Sequence, residues 1–151
     1  MKKGVDYIGV GVGAMTFNRD GLVFLALRGG NVRNEPGCWE FPGGGVRFGE
    51  KLEDAVTREF LEEYGVRIKP VELLCVTDHI LRDEHQHWVS PTFIALLEGG
   101  HAVIREPDKC SQIGWFSLND LPSPMMTVSR NNIEEYVARF GWTPYPLRRN
   151  L

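Results

Sequence analysis

The chain has 151 residues, of which 25% are charged and 42% apolar, and its net charge is −3. That length allows one domain with a real core, and the composition is ordinary for a globular protein. The acidic balance argues against a general nucleic-acid binder, and no apolar run approaches the length of a membrane-spanning helix.

The start, MKKGVDYIG, has two lysines but no apolar stretch behind them, so it does not read as a leader. Tyr7 to Phe17 alternates small and branched residues and reads as a strand. Asn18-Arg19-Asp20-Gly21 is a turn signal, and Leu22 to Arg28 reads as a second strand closing a hairpin. Gly9-Val10-Gly11-Val12-Gly13 looks like a phosphate loop, but no helix follows it. Its alternation favours glycines that let backbones approach. Gly29 to Gly37 is loop-like, and Trp39 to Phe41 is a short strand entering Pro42-Gly43-Gly44-Gly45. A helix is predicted from Leu52 to Tyr64, with Gly65 placed to end it. Val71 to Thr77 and Trp88 to Leu97 read as strands joined by a polar loop. His79, His85 and His87 surround Asp83-Glu84 there, and an exposed hairpin loop is favoured over a metal site. Ala102 to Arg105 and Ile113 to Phe116 are shorter strand candidates, and Ser117 to Leu121 looks like one helical turn. Val128 to Phe140 is a closing amphipathic helix, and the Arg148-Arg149 pair is too short to form a basic stripe. Three cysteines, Cys38, Cys75 and Cys110, are an odd number without metal-ligand spacing, which fits a reduced, cytoplasmic setting. This order predicts an α+β chain, helices packed on a mixed sheet, with a single domain over 1–151 and its core within 7–122.

The run GGVRFGEKLEDAVTREFLEEYGV, Gly44 to Val66, carries the functional signal. Glu59, Glu62 and Glu63 are related as i, i+3 and i+4 and share one face of the predicted helix. Like charges so placed repel and gain nothing structurally. Their use is to hold a hard divalent cation such as Mg²⁺, which takes carboxylate oxygens. Leu52, Ala55 and Val56 fall on the face that Glu59 and Glu63 continue, so the first half of the helix should pack on a core and the second should line a cleft. A lone Glu-Glu pair would be read as a solvated surface; the whole constellation is not.

The segment resembles the Nudix box: a glycine, five residues, a glutamate, seven residues, then Arg-Glu-apolar-x-Glu-Glu-x-Gly-apolar. Here those positions are Gly44, Glu50, Arg58, Glu59, Phe60, Glu62, Glu63, Gly65 and Val66. Phe60 is the one soft departure, apolar but aromatic. The lead-in Trp39-Glu40-Phe41-Pro42-Gly43-Gly44 and the run Trp115 to Pro122 also look like the family's. The resemblance implies a Nudix fold, an α/β/α sandwich with a mixed sheet. It also implies hydrolysis of a diphosphate linkage in a nucleotide, dependent on Mg²⁺ or Mn²⁺. The phosphate oxygens repel an attacking water; metal ions neutralise them, orient the substrate and acidify water.

Position and resemblance together suggest the roles. Glu59 and Glu63, one helical turn apart, are the leading metal ligands, and Glu62 is a third ligand or the base for the water. Glu50 reaches the metal through water, and Gly44 offers its carbonyl. Arg58 orients the carboxylates, by pairing with Glu62 four residues on. Arg28 is a candidate phosphate contact, and Trp39 stands between base stacking and core packing. Many relatives use a further carboxylate before the late strand; Cys110, Ser111 and Gln112 occupy that place, leaving Glu106 as the candidate against a solvated loop residue.

Past the box, Leu81 stands where many ADP-ribose hydrolases have proline and dinucleoside polyphosphate hydrolases tyrosine. The segments Glu84 to Ser90 and Glu106 to Cys110 are similar to enzymes acting on nucleoside triphosphates. The expectation is a small-molecule (d)NTP cleaved to a monophosphate and pyrophosphate, with no polymeric nucleic acid. A nucleoside diphosphate derivative such as ADP-ribose and a non-catalytic nucleotide-binding module are the alternatives. A homodimer is common in the family, though no interface is visible in the sequence.

Overall fold

A computed structural model describes residues 1–148, so the last residues of the expected 1–151 domain, Arg149 of the arginine pair among them, lie outside the described part. The strands are β1 (Gly9–Phe17), β2 (Val23–Arg28), β3 (Trp39–Glu40), β4 (Gly43–Gly45), β5 (Arg67–Leu81), β6 (Gln86–Gly99) and β7 (Cys110–Phe116). The helices are α1 (Leu52–Tyr64), α2 (Thr127–Phe140) and the short α3 (Tyr145–Arg148). One mixed sheet runs in the order β3-β2-β1-β6-β5, with β4 paired to β1 and β7 to β2. Among the strand pairs of the described residues, only β1 and β6 run parallel.

Alternation along β1 sorts its side chains to two cores. Val12 and Ala14 join Ala55, Val56, Phe60 and Tyr64 of α1 on one face. Met15 and Phe17 join Tyr136 of α2 on the other. That is the expected sandwich. Phe60 is fully buried, with its ring 6.1 Å from both Phe24 and Tyr64. The apolar stripe of α1 therefore runs its whole length beside the glutamates, rather than stopping halfway as the pattern suggested. Gly65 ends the helix at φ 72, its N–H donating to Leu61 O at 3.0 Å.

Three local expectations are corrected. Ala102–Arg105 forms no strand: Val103 and Arg105 donate their N–H groups to Tyr64 O and Glu63 O, tying this segment to the open carbonyls that end α1. Ser117–Leu121 is a turn without helix, closed by Asp120 N–H on Ser117 O at 3.0 Å. The polar loop between the long strands shrinks to a 3₁₀ turn at Arg82–Glu84, because pairing continues through Leu81 opposite Gln86. No helix among the described residues is long and apolar enough to cross a membrane, and the three cysteines are free.

β4 lies closely on β1, with Gly43 opposite Gly13 and Gly45 opposite Gly11. A Cβ on Gly43 would sit 1.8 Å from Val12 O, a backbone atom with no freedom to yield. Gly43→Ala should therefore cost about 1–3 kcal/mol of stability, as overpacking does. Thermal denaturation checks it, and an unchanged midpoint would mean that β4 can move away from β1.

Candidate active site

β4 brings the box glycines between β1 and α1. Gly44 has no side chain where α1 presents Glu59: a Cβ there would lie 2.2 Å from the Glu59 carboxyl carbon. The Glu59 carboxylate thus fills the space that the glycine leaves, against its backbone.

Arg58 gathers the neighbouring acids. Its guanidinium donates twice to Glu50, at 2.7 and 2.9 Å, and to Glu59 at 2.8 Å and Glu62 at 3.2 Å. A further N–H reaches Gly45 O at 3.1 Å. The hydrogen bonds from Arg58 hold the Glu50 carboxyl down at about 2, and those same bonds raise the Arg58 pKa. Arg58 does pair with Glu62 as expected, but Glu50 is its tightest partner.

Glu63, one turn beyond Glu59, faces a cavity of about 150 Å³ bordered by Arg28, Glu40, Glu106 and Lys109. Burial pushes its carboxyl up to about 9, and the charges of Glu59, Glu106 and Glu40 add to the shift. Glu106 is thus close enough to Glu63 to act on it, while its own carboxylate accepts from Lys109 at 3.3 Å.

This donor set fits a divalent cation. It offers oxygens alone, and negative charge concentrates at a buried carboxyl that a cation would relieve. Glu59, packed against Gly44, and Glu63 one turn on are the carboxylates that could hold it. Among the described residues no three acidic, histidine or cysteine side chains form a ready-made cage. Glu50, Glu59 and Glu62 are all paired with Arg58, and Glu63 alone of the four is not.

A larger cleft, about 230 Å³, opens on the other side of the Arg28–Glu40 ion pair. The backbones of Gly11, Gly13 and Gly43–Gly45 form one wall, and His79, Trp88, Ser129 and Asn132 line the rest. Arg28 and Glu40 border both spaces. Burial also raises the Glu40 carboxyl, against the lowering effect of Arg28.

Trp39 does not reach the cleft. Its side chain is buried in the α2-side core with its ring 5.2 Å from Phe116, so the structure places it with the packing residues. His79 is not in an exposed loop: it is 6% exposed on β5. Its Nε2 lies 3.6 Å from Glu35 Oε2, and burial lowers its pKa. Glu40, Ser129 and Asn132 were not singled out as site residues from the sequence, and His79 was set aside there as a loop residue. For Glu40 a signal existed, an acid inside the apolar lead-in Trp39 to Phe41. For Ser129 and Asn132 there was none, since only the packing of α2 turns them inward.

A family model described as NUDIX domain matches residues 8–137. A MutT NUDIX hydrolase from Burkholderia pseudomallei has a similar structure, with 40% identity and a TM-score of 0.80, covering 86% of this chain and 98% of that one. A relative from Methanocaldococcus jannaschii named ADP-ribose pyrophosphatase is 39% identical over 106 residues, 69% of this chain and 59% of its own length. An RNA pyrophosphohydrolase of Bartonella bacilliformis is 30% identical over 154 residues, covering 86% of this chain and 89% of the relative.

Proposed function

The chain belongs to the Nudix family, and from that premise we propose that it is a pyrophosphohydrolase that cleaves a (d)NTP, with a divalent metal, to a monophosphate and pyrophosphate. The observation that carries this reading is the Glu59–Glu63 pair on α1, with Glu59 packed against Gly44, whose backbone walls a cleft of about 230 Å³. Nudix hydrolases generally use divalent metals; Mg²⁺ is the ion assigned here, with Mn²⁺ as its substitute.

The net reaction adds water across the bond between the α- and β-phosphates. The bound ion supplies charge neutralisation for the phosphate oxygens and acidifies water. The chain's own residues supply position and field. Glu59, Glu63 and the Gly44 carbonyl would hold the ion, with Glu62 and Glu50 oriented beside them by Arg58. Arg58 orients these carboxylates and keeps Glu50 charged. Glu62, about half exposed, has the access to water that a base requires. Arg28, between the two spaces, is assigned to the phosphate chain, and the larger cleft to the nucleoside. The free thiols favour a reducing cytoplasm, and residues 1–151 are taken as one catalytic unit.

A panel of (d)NTPs, ADP-ribose, NADH, dinucleoside polyphosphates and 5′-triphosphorylated RNA, each with Mg²⁺, Mn²⁺ or chelator, tests this. Metal-dependent pyrophosphate release from a (d)NTP is expected. The name of the archaeal relative favours ADP-ribose as the second reading, and two monophosphate products from it would replace the (d)NTP assignment. Turnover of RNA ends alone would overturn the small-molecule reading. Nucleotide binding without turnover would make the chain a binding module.

A further inference from the structure

The N-terminal residues are not a loose tail. Gly4 takes φ 79, donates to Tyr7 O at 2.7 Å, and accepts from His87 N–H at 2.8 Å. The indole of Trp88 packs on this turn so closely that a Cβ on Gly4 would lie 2.4 Å from it. The turn directs Lys3 across β1 towards the box. Two glycines clear its path: a Cβ on Gly9 would meet the Lys3 stem at 3.0 Å, and one on Gly45 would lie 3.4 Å from Nζ. Nζ donates to Val46 O at 3.0 Å.

An ammonium has three donors, and Val46 accounts for one. The other cations at the site are already paired with carboxylates: Arg28 with Glu40, Arg58 with Glu50, Glu59 and Glu62, and Lys109 with Glu106. Among the described residues no carboxylate pairs with Lys3. A half-buried cation with spare donors is thus held beside Gly45, which walls the larger cleft, next to the strand whose Gly44 meets Glu59. A charge in that position has little to gain from folding and much to gain from an anion.

We propose that Lys3 binds the phosphate chain of the nucleotide, its ammonium donating from the Gly45 rim to a phosphate oxygen while the nucleoside occupies the cleft. This rests on the functional reading above and adds a substrate-binding residue from outside the box. The N-terminal turn is then part of the site, positioned by Trp88.

The test compares wild type, Lys3→Gln and Lys3→Arg. Equilibrium binding of a non-hydrolysable α,β-imido nucleotide is measured with Mg²⁺, alongside KM, kcat and thermal midpoint. Lys3→Gln should weaken binding by about tenfold, with a matching rise in KM, a smaller change in kcat and an unchanged midpoint. Lys3→Arg should recover most of the affinity. If wild type turns over a nucleotide while Lys3→Gln binds the analogue equally well, the role of Lys3 is overturned and the enzyme reading stands. Equal loss in both variants with a lowered midpoint would reduce Lys3 to a clamp on Val46 and overturn it too. A wild type that neither binds nor cleaves any nucleotide overturns both readings.

Discussion

Glu63→Gln should abolish turnover and at the same time make the metal-free protein more heat-stable. Glutamine keeps the size and removes the charge. The expected loss of activity exceeds the roughly 10–100-fold typical of groups that only support metal ligands. The stability effect follows from linkage. Burial, then Glu59, Glu106 and Glu40, raise the folded-state carboxyl to about 9. The folded chain therefore keeps a proton that the unfolded chain has lost, and stability falls as pH rises from the ordinary carboxylate range through that value. Thermal melts of the metal-free wild type across pH 5 to 9 should show this decline, and Glu63→Gln should flatten it. Adding Mg²⁺ at pH 8 should raise the wild-type midpoint and leave the variant nearly unmoved. Near-normal activity of the variant at saturating Mg²⁺ would remove Glu63 from the ligand set. A pH-independent wild-type midpoint would mean that the carboxyl is less confined than its surroundings indicate.

Arg58→Ala should harm both activity and stability. Its removal leaves Glu50 and Glu59 facing each other without the guanidinium between them, frees Glu62, and strips the Gly45 carbonyl of a donor. The activity cost should be about 10–100-fold, that of a group that orients ligands. Its pH signature is opposite to that of Glu63. Glu50, held at about 2 by Arg58, contributes stability above its unfolded pKa and loses it as pH falls towards 2. The variant should therefore show a shallower acid limb in thermal melts, and Arg58→Lys should recover only part of the activity because a point charge cannot hold three carboxylates. Full activity in Arg58→Ala would leave the guanidinium with a packing role.

The sequence by itself determined the family, through the box, and the elements near it. Helix periodicity put Glu59 and Glu63 on one side of α1, Gly65 ended the helix, and the β1–β2 hairpin and the closing helix were legible from alternation and turn residues. These are local matters, set by backbone geometry within a few residues. Tertiary structure decided the rest. Cross-strand pairing, not local propensity, carried β5 through His79 and buried that imidazole. Docking against the end of α1 kept Ala102–Arg105 out of the sheet. Packing against Phe116 took Trp39 into the core. The two sides of the cleft come from residues distant in sequence, Arg28 and Glu40 on one strand pair, Ser129 and Asn132 on α2, with Lys3 brought beside Gly45 by the N-terminal turn. No periodicity encodes such a meeting, because it depends on which faces of separate elements are pressed together when the two cores form.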